Sequence, residues 1–305
     1  MLKKRKCNMA KLTCAVLSIL LTSLAWSQPE FDKVQIKAEH VAGSVYVLYG
    51  EGGNIGVSVG SDGVLLVDDQ YAPLAPKIKA ALATISKGQP VKFILNTHWH
   101  PDHTGGNEVF GETAPIIAQE NVRKRMITGG LLSNGRNVQP ATEGALPVVT
   151  FNEKLTVHIN EEDIRALHLE NGHTDGDVVV YFTKSNVVHM GDQFVSGEFL
   201  PFVDFNSGGN LDGLIANVEK VITSVRDDVK VIPGHGPITS KSALVSFAKM
   251  LKDTRGAVQR AQQKKSSFED FSADPVFAPY KWSDEDKKHF LGRLYRGMVK
   301  AENND

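Results

Sequence analysis

The chain has 305 residues, 41% of them hydrophobic, and its 34 basic and 35 acidic side chains leave a formal net charge of −1 at pH 7. This length and apolar fraction predict one domain with a large core. The net charge is negative, and it becomes more negative when the N-terminal segment described next is removed. A negative net charge argues against nucleic acid as a partner.

Residues 1–27 have the pattern of a secretory signal peptide. A basic head at residues 3–6 precedes an apolar stretch at 12–24, which is too short to span a bilayer comfortably, and the small residues Ala25 and Ser27 follow. We therefore expect an exported protein, periplasmic or secreted, that keeps no stable membrane anchor after cleavage. An uncleaved anchor is the alternative.

Cleavage would remove five of the 34 basic residues together with Cys7 and Cys14. The 29 remaining Lys and Arg residues would face 35 Asp and Glu residues, a net charge of about −6. A mature chain without cysteine forms no disulfide, despite its oxidising destination, and offers no thiolate to a metal.

The rest of the chain predicts two groups of strands, each followed by helices. The first strands are expected at residues 45–49, 54–59, 64–67, 91–95 and 116–118, with helices at 76–88 and 120–127. A long loop at 128–147, of a length that is usually functional or mobile, leads to further strands at 148–151, 155–159, 164–169, 178–182, 187–190 and 229–232. Helices are expected at 211–225, from 240 onward and at 283–300. Two sheets packed face to face with helices outside satisfy this order.

The segment at residues 96–107 has the composition of a metal site. Directly after the buried strand at 91–95 it holds four candidate ligands within six positions: His98, His100, Asp102 and His103. Pro101 and the glycine pair at 105–106 predict a tight loop here. Three imidazoles and a carboxylate at the end of a strand are ligands suited to zinc. A surface loop that is His-rich by chance is the alternative, and only 10 His in the whole chain make it improbable.

Four neighbouring ligands cannot complete the coordination of two cations, so further ligands should come from loops after other strands. Three candidates follow apolar runs and stand beside a glycine: His173, Asp192 and His235. A loop residue positioned by a rigid strand is the usual way in which such a site is built.

With these residues the chain resembles the metallo-β-lactamase fold superfamily. The resemblance is carried by the His-x-His-x-Asp-His segment at 98–103, the Gly-His pairs at 172–173 and 234–235, and the Gly-Asp pair at 191–192, and it covers roughly residues 40–265. It implies an α/β (α+β) fold, a four-layer αβ/βα sandwich with its ligand loops at one edge of the sheets. We expect the catalytic domain at 28–265 and a C-terminal helical extension packed on it at 266–305.

The resemblance also implies two zinc ions (Zn²⁺) per chain, although histidine and aspartate also suit iron or manganese. One zinc would be bound by His98, His100 and His173, the other by Asp102, His103 and His235, and Asp192 would bridge the pair. Asp68 resembles the buried aspartate of the family that accepts the other N–H of a ligand histidine. A simple turn residue is the alternative for Asp68.

Two divalent cations about 3.5–4 Å apart can share a water and lower its pKa from about 15.7 towards about 7. The cations also polarise a substrate carbonyl, and Asp102 would orient the hydroxide and help to protonate the leaving group. We therefore expect an exported dinuclear zinc hydrolase that is similar to β-lactamases and opens a cyclic amide or ester of a small-molecule substrate. The oligomeric state is left open.

The ligand set leaves alternatives for the substrate. The β-lactamases that use a cysteine ligand are not close matches, and the branch with only His and Asp ligands lacks a bridging aspartate. A glyoxalase II-like thioester hydrolase or a lactonase shares that aspartate, although the lactonase tyrosine is missing after Asp192. A non-catalytic zinc-binding accessory protein is a third hypothesis, which open metal positions disfavour. Asn210 resembles a substrate-binding Asn of the cysteine-containing β-lactamases, and a helix N-cap is its alternative role.

Overall fold

Two β-sheets form the centre of the structure, which is a computed structural model that describes residues 31–299. The predicted signal peptide and both cysteines lie outside the described residues, so the predictions about export and the cysteine-free mature chain stay predictions. No helix among residues 31–299 is long and apolar enough to cross a bilayer.

The N-terminal half of the described chain contains six strands, four helices and a short hairpin. The strands are β1 (Lys37–Ala42), β2 (Val45–Tyr49), β3 (Ile55–Gly60), β4 (Gly63–Val67), β5 (Val91–Leu95) and β6 (Ile116–Gln119). The helices are α1 (Ala75–Ser86), α2 (Pro101–Thr104), α3 (Asn107–Phe110) and α4 (Glu120–Thr128). The hairpin pairs β7 (Gly130–Leu131) with β8 (Asn137–Val138).

The C-terminal half contributes one strand to the first sheet, all of the second sheet, and four helices. The strands are β9 (Val149–Phe151), β10 (Lys154–Ile159), β11 (Glu162–His168), β12 (Val178–Phe182), β13 (Val187–His189), β14 (Lys230–Ile232) and β15 (Thr239–Ser240). The helices are α5 (Leu211–Ser224), α6 (Lys241–Lys264), α7 (Phe268–Ser272) and α8 (Asp284–Leu294), which continues as a π-helical segment at Tyr295–Val299.

The order of strands in the first sheet is β1-β2-β3-β4-β5-β6-β9, and in the second it is β10-β11-β12-β13-β14-β15. Strands β1 to β4 form an antiparallel meander, whereas β4, β5, β6 and β9 run parallel. In the second sheet β13 and β14 are parallel and the other neighbours are antiparallel.

Apolar side chains fill three layers between these elements. Side chains of both sheets, among them Leu65 and Val180, form the central layer. Helix α1 packs on the outer face of the first sheet through residues such as Ile78. Helices α5 and α6 pack on the outer face of the second sheet through residues such as Val218 and Leu251. This helix–sheet–sheet–helix order confirms the predicted four-layer αβ/βα sandwich.

Several features differ from the expected elements. The tight loop predicted after β5 contains the single-turn helices α2 and α3. Strand β1 has no counterpart among the predicted strands because it is an edge strand whose exposed polar residues interrupt the apolar pattern. The 128–147 segment is not a plain loop, since it carries the β7–β8 hairpin, whose strands of two residues are too short to leave a periodic signal. The last helix ends at Leu294 and passes into the π-helical segment instead of continuing as an α-helix.

The C-terminal helices share the apolar core of α5 and α6. The rings of Phe271, Phe277 and Phe290 are fully buried in that cluster. The same contacts join the segment after residue 265 to α6, and the predicted boundary between a domain and an extension at that residue stays a prediction.

Replacing Phe290 by Ala should therefore lower the free energy of unfolding of the whole protein. The ring is 1% exposed, and truncating a buried Phe costs about 3–5 kcal/mol. Urea denaturation followed by circular dichroism measures the change. The neighbouring exposed residue His289 supplies the control, because His289→Ala should change stability by less than about 0.5 kcal/mol. Equal midpoints for the two variants would show that α8 is not part of the cooperative core.

Candidate metal centre

Strand register explains why the candidate ligands meet. Leu95 in β5 pairs with Val67 in β4 and with Ile117 in β6, so these parallel strands end at one edge of the first sheet. His189 in β13 pairs with Ile232 in β14, so the Asp192 and His235 loops leave the second sheet side by side. The chain between β11 and β12, which carries His173, turns at the same edge of the second sheet as these two loops.

The structure brings all seven predicted ligands together at that edge. Within each of three sets the donor atoms lie no more than 4.8 Å apart: His98, His100 and His173; His98, His103 and Asp192; and Asp102, His103 and His235. These sets share members, so the seven side chains form one cluster. Four of its histidines are buried, and Asp102, Asp192 and His235 are the more accessible members.

Two glycines leave the space that the cluster needs. A Cβ atom at position 234 would lie 2.0 Å from Oδ1 of Asp192, and one at position 53 would lie 2.2 Å from Cε1 of His103. Neither distance is compatible with van der Waals contact. A glycine is therefore required before His235 on steric grounds, since any side chain there would displace the Asp192 carboxylate.

Hydrogen bonds to the outer nitrogens fix how the buried imidazoles are protonated. Nε2 of His100 donates to Oδ2 of Asp204 over 3.0 Å, and Nδ1 of His173 donates to the carbonyl oxygen of Phe202 over 2.5 Å. Nδ1 of His103 donates to Oδ2 of Asp68 over 2.7 Å. In its neutral form each of these rings turns its other nitrogen, with a free lone pair, towards the cluster.

His98 follows the same pattern through Thr97. The Thr97 hydroxyl donates to Oδ2 of Asp68 over 2.7 Å, so the Nδ1 of His98, 3.0 Å away, donates to that hydroxyl oxygen. Nε2 of His98 is left buried without a hydrogen-bond partner among residues 31–299. An unsatisfied buried nitrogen of this kind costs free energy unless something binds it.

The inward lone pairs face one another. Nδ1 of His100 lies 2.9 Å from Nε2 of His173. In the other group Nε2 of His103 lies 3.3 Å from Nε2 of His235, and the Asp102 and Asp192 carboxylates beside this pair can stabilise a proton on it. Two acceptor nitrogens at such distances repel unless a proton or a metal cation lies between them. The donor set, four buried imidazoles with aspartate oxygens beside them, fits metal cations of the zinc type.

Asp192 contacts both parts of the cluster. Its Oδ1 lies 3.2 Å from Nε2 of His103, and its Oδ2 lies 3.6 Å from Nε2 of His173 and 3.5 Å from Nε2 of His235. Oδ2 of Asp102 lies 3.2 Å from Nε2 of His235 and 3.6 Å from that of His103. One carboxylate is thus placed between the two groups of imidazoles, and the other belongs to the His103 and His235 group.

The electrostatics of the two groups differ. Burial lowers the pKa of His98 well below its ordinary value and that of His173 to about 4, and nearby imidazoles add to the effect. Burial would also lower the pKa of His235, but the Asp192 and Asp102 carboxylates outweigh it and raise that pKa to about 10. Burial also opposes the charge of His103, but the Asp192, Asp102 and Asp68 carboxylates raise the pKa of His103 well above its ordinary value. Positive charge is therefore stabilised between the carboxylates and the His103 and His235 rings.

Asp68 is held rigidly at the end of β4. It is fully buried, has a left-handed backbone with φ of 66°, and its Oδ1 accepts a hydrogen bond of 2.7 Å from the Thr97 amide. Aspartate tolerates this conformation better than most residues. The carboxylate contacts His103, which is the arrangement that the family resemblance implies for Asp68.

Asp204 and Phe202 have no counterpart among the residues singled out from the sequence. Besides His100, Asp204 accepts hydrogen bonds from the Ser133 amide and the Ser207 hydroxyl. The Phe202 ring stacks on His100 with centroids 5.7 Å apart, and the Arg293 guanidinium of α8 lies 4.8 Å from the centre of that ring. The C-terminal helix therefore contacts a side chain that supports two of the candidate ligands.

Asn210 forms the N-cap of α5. Its Oδ1 accepts hydrogen bonds from the amides of Asp212 at 2.8 Å and Gly213 at 3.1 Å. Asn210 therefore caps the helix, which is its alternative role. Its contact with a substrate stays a prediction.

A cavity of about 270 Å³ opens above the cluster. His100, Asp102, Asp192 and His235 are exposed to it, together with apolar side chains of the 195–202 segment and residues of the β7–β8 hairpin. A larger cavity, of about 400 Å³, lies on the second sheet and contains none of the candidate ligands. The smaller cavity is the one through which a substrate can reach the cluster.

If Asp102, His103 and His235 bind a cation, replacing Gly234 by Ala should abolish that binding, because the new methyl group displaces Asp192. Zinc per chain, measured by mass spectrometry after dialysis, reports the loss. A Cβ atom added at position 144 would stand in open space, and Gly144 has no positive φ. Gly144→Ala is therefore the matched control and should bind zinc normally. Wild-type zinc content in the Gly234→Ala protein would contradict the geometry described above.

Comparison with known proteins places the chain in a family. The family model described as the metallo-beta-lactamase superfamily matches residues 43–236. The chain is 28% identical over 109 residues to hydroxyacylglutathione hydrolase from Erythrobacter litoralis and 26% identical over 141 residues to the 2,4-dinitroanisole O-demethylase subunit alpha from a Nocardioides species. These matches cover 35% and 45% of this chain, and the chain spans only 36% and 40% of the length of those two relatives.

Two further matches cover more of the proteins concerned. The probable metallo-hydrolase YqgX from Bacillus subtilis is 28% identical over 163 residues, which are 50% of this chain and 72% of that protein. The structure of a metallo-beta-lactamase from Pontibacter korlensis superposes with a TM-score of 0.60 at 20% identity, covering 72% of this chain and 99% of that one, and this likeness concerns the fold alone. Because the family model matches nearly two thirds of the sequence, the chain belongs to the metallo-beta-lactamase superfamily.

Proposed function

We propose that the protein is a zinc-dependent hydrolase that holds two Zn²⁺ per chain and opens a cyclic amide or ester of a small-molecule substrate. Membership of the superfamily and similarity to a probable metallo-hydrolase support hydrolysis. The observation that carries the proposal is the set of inward lone pairs on buried histidines beneath an open cavity, with Asp192 in contact with both groups of ligands.

The residues of the site would act as metal ligands, as groups that orient those ligands, and as a proton acceptor and donor. Six ligands would hold the cations, with Asp192 in contact with both groups, while Asp68 and Asp204 keep His103 and His100 in the ligating tautomer. When bound, the cations lower the pKa of water and polarise the substrate carbonyl. Asp102 lines the cavity with its side chain 22% exposed, so it can accept the proton of the attacking water and return it to the leaving group.

A thioester hydrolase is the second candidate. The similarity to hydroxyacylglutathione hydrolase favours it, as does the contact of Asp192 with both groups of imidazoles. A lactonase would use the same ligands. A non-catalytic accessory role fits less well, because the candidate ligands are open to a cavity. Export of the enzyme to the periplasm or the medium is also part of the proposal, and it rests on the sequence pattern of residues 1–27 alone.

The protein lacking residues 1–27 should hydrolyse at least one member of a panel consisting of a cephalosporin, a penicillin, a lactone and a thioester. Activity should fall below detection after dialysis against a chelator and return when zinc is added, because no Ser or Cys among the described residues lines the cavity to act as a nucleophile. Initial rates by absorbance give the result. Inertness towards the whole panel in fully zinc-loaded protein would favour the non-catalytic alternative.

Asp102→Asn should lower kcat by at least about 10²-fold, the contribution typical of a positioned acid or base. Asp227, whose side chain is 98% exposed and pairs with Lys241, gives the control, and Asp227→Asn should leave kcat unchanged. Zinc content is measured on both proteins so that loss of a ligand is separated from loss of proton transfer. Normal turnover by the Asp102→Asn protein would refute the role of this carboxylate.

A further inference from the structure

The cavity above the metal centre has a cationic side chain that none of the proposed roles uses. Arg136 lines this cavity and follows the turn of the β7–β8 hairpin. Its amide donates to Oδ1 of Asn134 over 2.9 Å, and its carbonyl oxygen accepts from the Leu132 amide over 2.9 Å. The backbone of Arg136 is therefore fixed although the side chain is exposed.

Tyr71 also lines the cavity, and the Arg136 guanidinium interacts with its hydroxyl group. Burial raises the pKa of Tyr71 and the Asp102 carboxylate raises it further, whereas a hydrogen bond from Arg136 and its charge oppose the rise. Arg136 and Tyr71 thus add polar groups to the cavity wall beside the candidate ligands, close to where bonds of the substrate would break.

The charge of Arg136 has no carboxylate partner among residues 31–299, in contrast to that of Arg125, which pairs with Asp175 over 2.7 Å. Arg136 is also the only Lys or Arg among the described residues that line this cavity. A guanidinium offers several N–H donors in a planar fork that matches a carboxylate. Those donors are not used up by the hydrogen bond to Tyr71.

Two aromatic side chains make another part of the wall apolar. Phe199 is 53% exposed, and its ring centroid lies 5.3 Å from that of His235. The Phe202 ring covers His100 and His173, with centroid distances of 5.7 and 5.6 Å. An apolar surface therefore lies next to histidines of both ligand groups. Exposed aromatic rings in such a position favour a ligand with an apolar body.

We propose that Arg136 binds a carboxylate of the substrate, while the apolar part of the substrate packs on Phe199 and Phe202 and its scissile carbonyl reaches the metal centre. The substrate class is thus a small acid with an apolar body and a hydrolysable acyl bond. This inference rests on the proposed function for the scissile bond, but the binding of the carboxylate can be tested without turnover.

Isothermal titration of the purified protein with 4-phenylbutyrate and with its uncharged amide, 4-phenylbutanamide, tests the binding. The wild type should prefer the acid, and Arg136→Gln should weaken binding of the acid by at least about tenfold, since hydrogen bonds to charged groups are among the stronger ones. Binding of the amide should change by less than about twofold. Arg136→Lys should keep part of the preference because it keeps the charge.

Arg226→Ala is the matched control, because Arg226 is exposed, pairs with Asp228 over 3.0 Å and lines the cavity on the second sheet. It should leave both affinities unchanged. Tyr71→Phe separates recognition from support of the cavity wall. If Arg136 only holds Tyr71 in place, Tyr71→Phe and Arg136→Gln will weaken both ligands equally, and that outcome overturns the proposal.

A matched pair of esters gives the kinetic test. For mono-4-nitrophenyl glutarate, Arg136→Gln should raise KM by about tenfold with little change in kcat, and for 4-nitrophenyl pentanoate both constants should stay within about twofold of wild type. Equal effects on the two esters, or an unchanged preference for the acid in the titration, would refute the role of Arg136. Inertness of the wild type towards both esters, with the titration result intact, would refute hydrolysis of such esters while Arg136 keeps its role.

Discussion

Buried imidazole nitrogens whose lone pairs face one another are the feature on which the site depends. Nε2 of His98 has no hydrogen-bond partner in the part of the chain that the structure describes, and the inward nitrogens of His100 and His173 lie 2.9 Å apart. Neutral imidazoles in this arrangement repel, and protonating all of them would place several positive charges together in a buried space. Metal cations relieve both problems, so binding of the cations and stability of the folded edge should be linked.

The fold supplies this arrangement through strand ends and outer hydrogen bonds. Parallel strands on both sheets deliver the ligand loops to one edge. Asp68 and Asp204 then orient two of the rings, and Phe202 supports a third through its carbonyl oxygen. Since Arg293 of α8 packs on the Phe202 ring, the C-terminal helices belong to the structure that positions the metal centre as well as to the core.

The sequence predicted the parts of this structure that leave a local signal. The segment at residues 98–103 concentrates its ligands within six positions, and the glycine before His235 proves to be sterically required. By contrast, Asp204 is 104 positions away from His100, and Arg136 lies in a segment without periodicity. Their roles arise from tertiary contacts that no pattern of neighbouring residues encodes. Strand β1 was not predicted because it lies at the edge of the sheet, where exposed polar side chains interrupt the apolar pattern.

Diffraction from crystals of the zinc-loaded protein, recorded at the zinc absorption edge, tests the dinuclear centre most directly. We predict two anomalous peaks about 3.5–4 Å apart. One should lie against His98, His100 and His173 and the other against Asp102, His103 and His235, with Asp192 between them. A single peak, or a second peak remote from His103 and His235, would contradict the proposed centre.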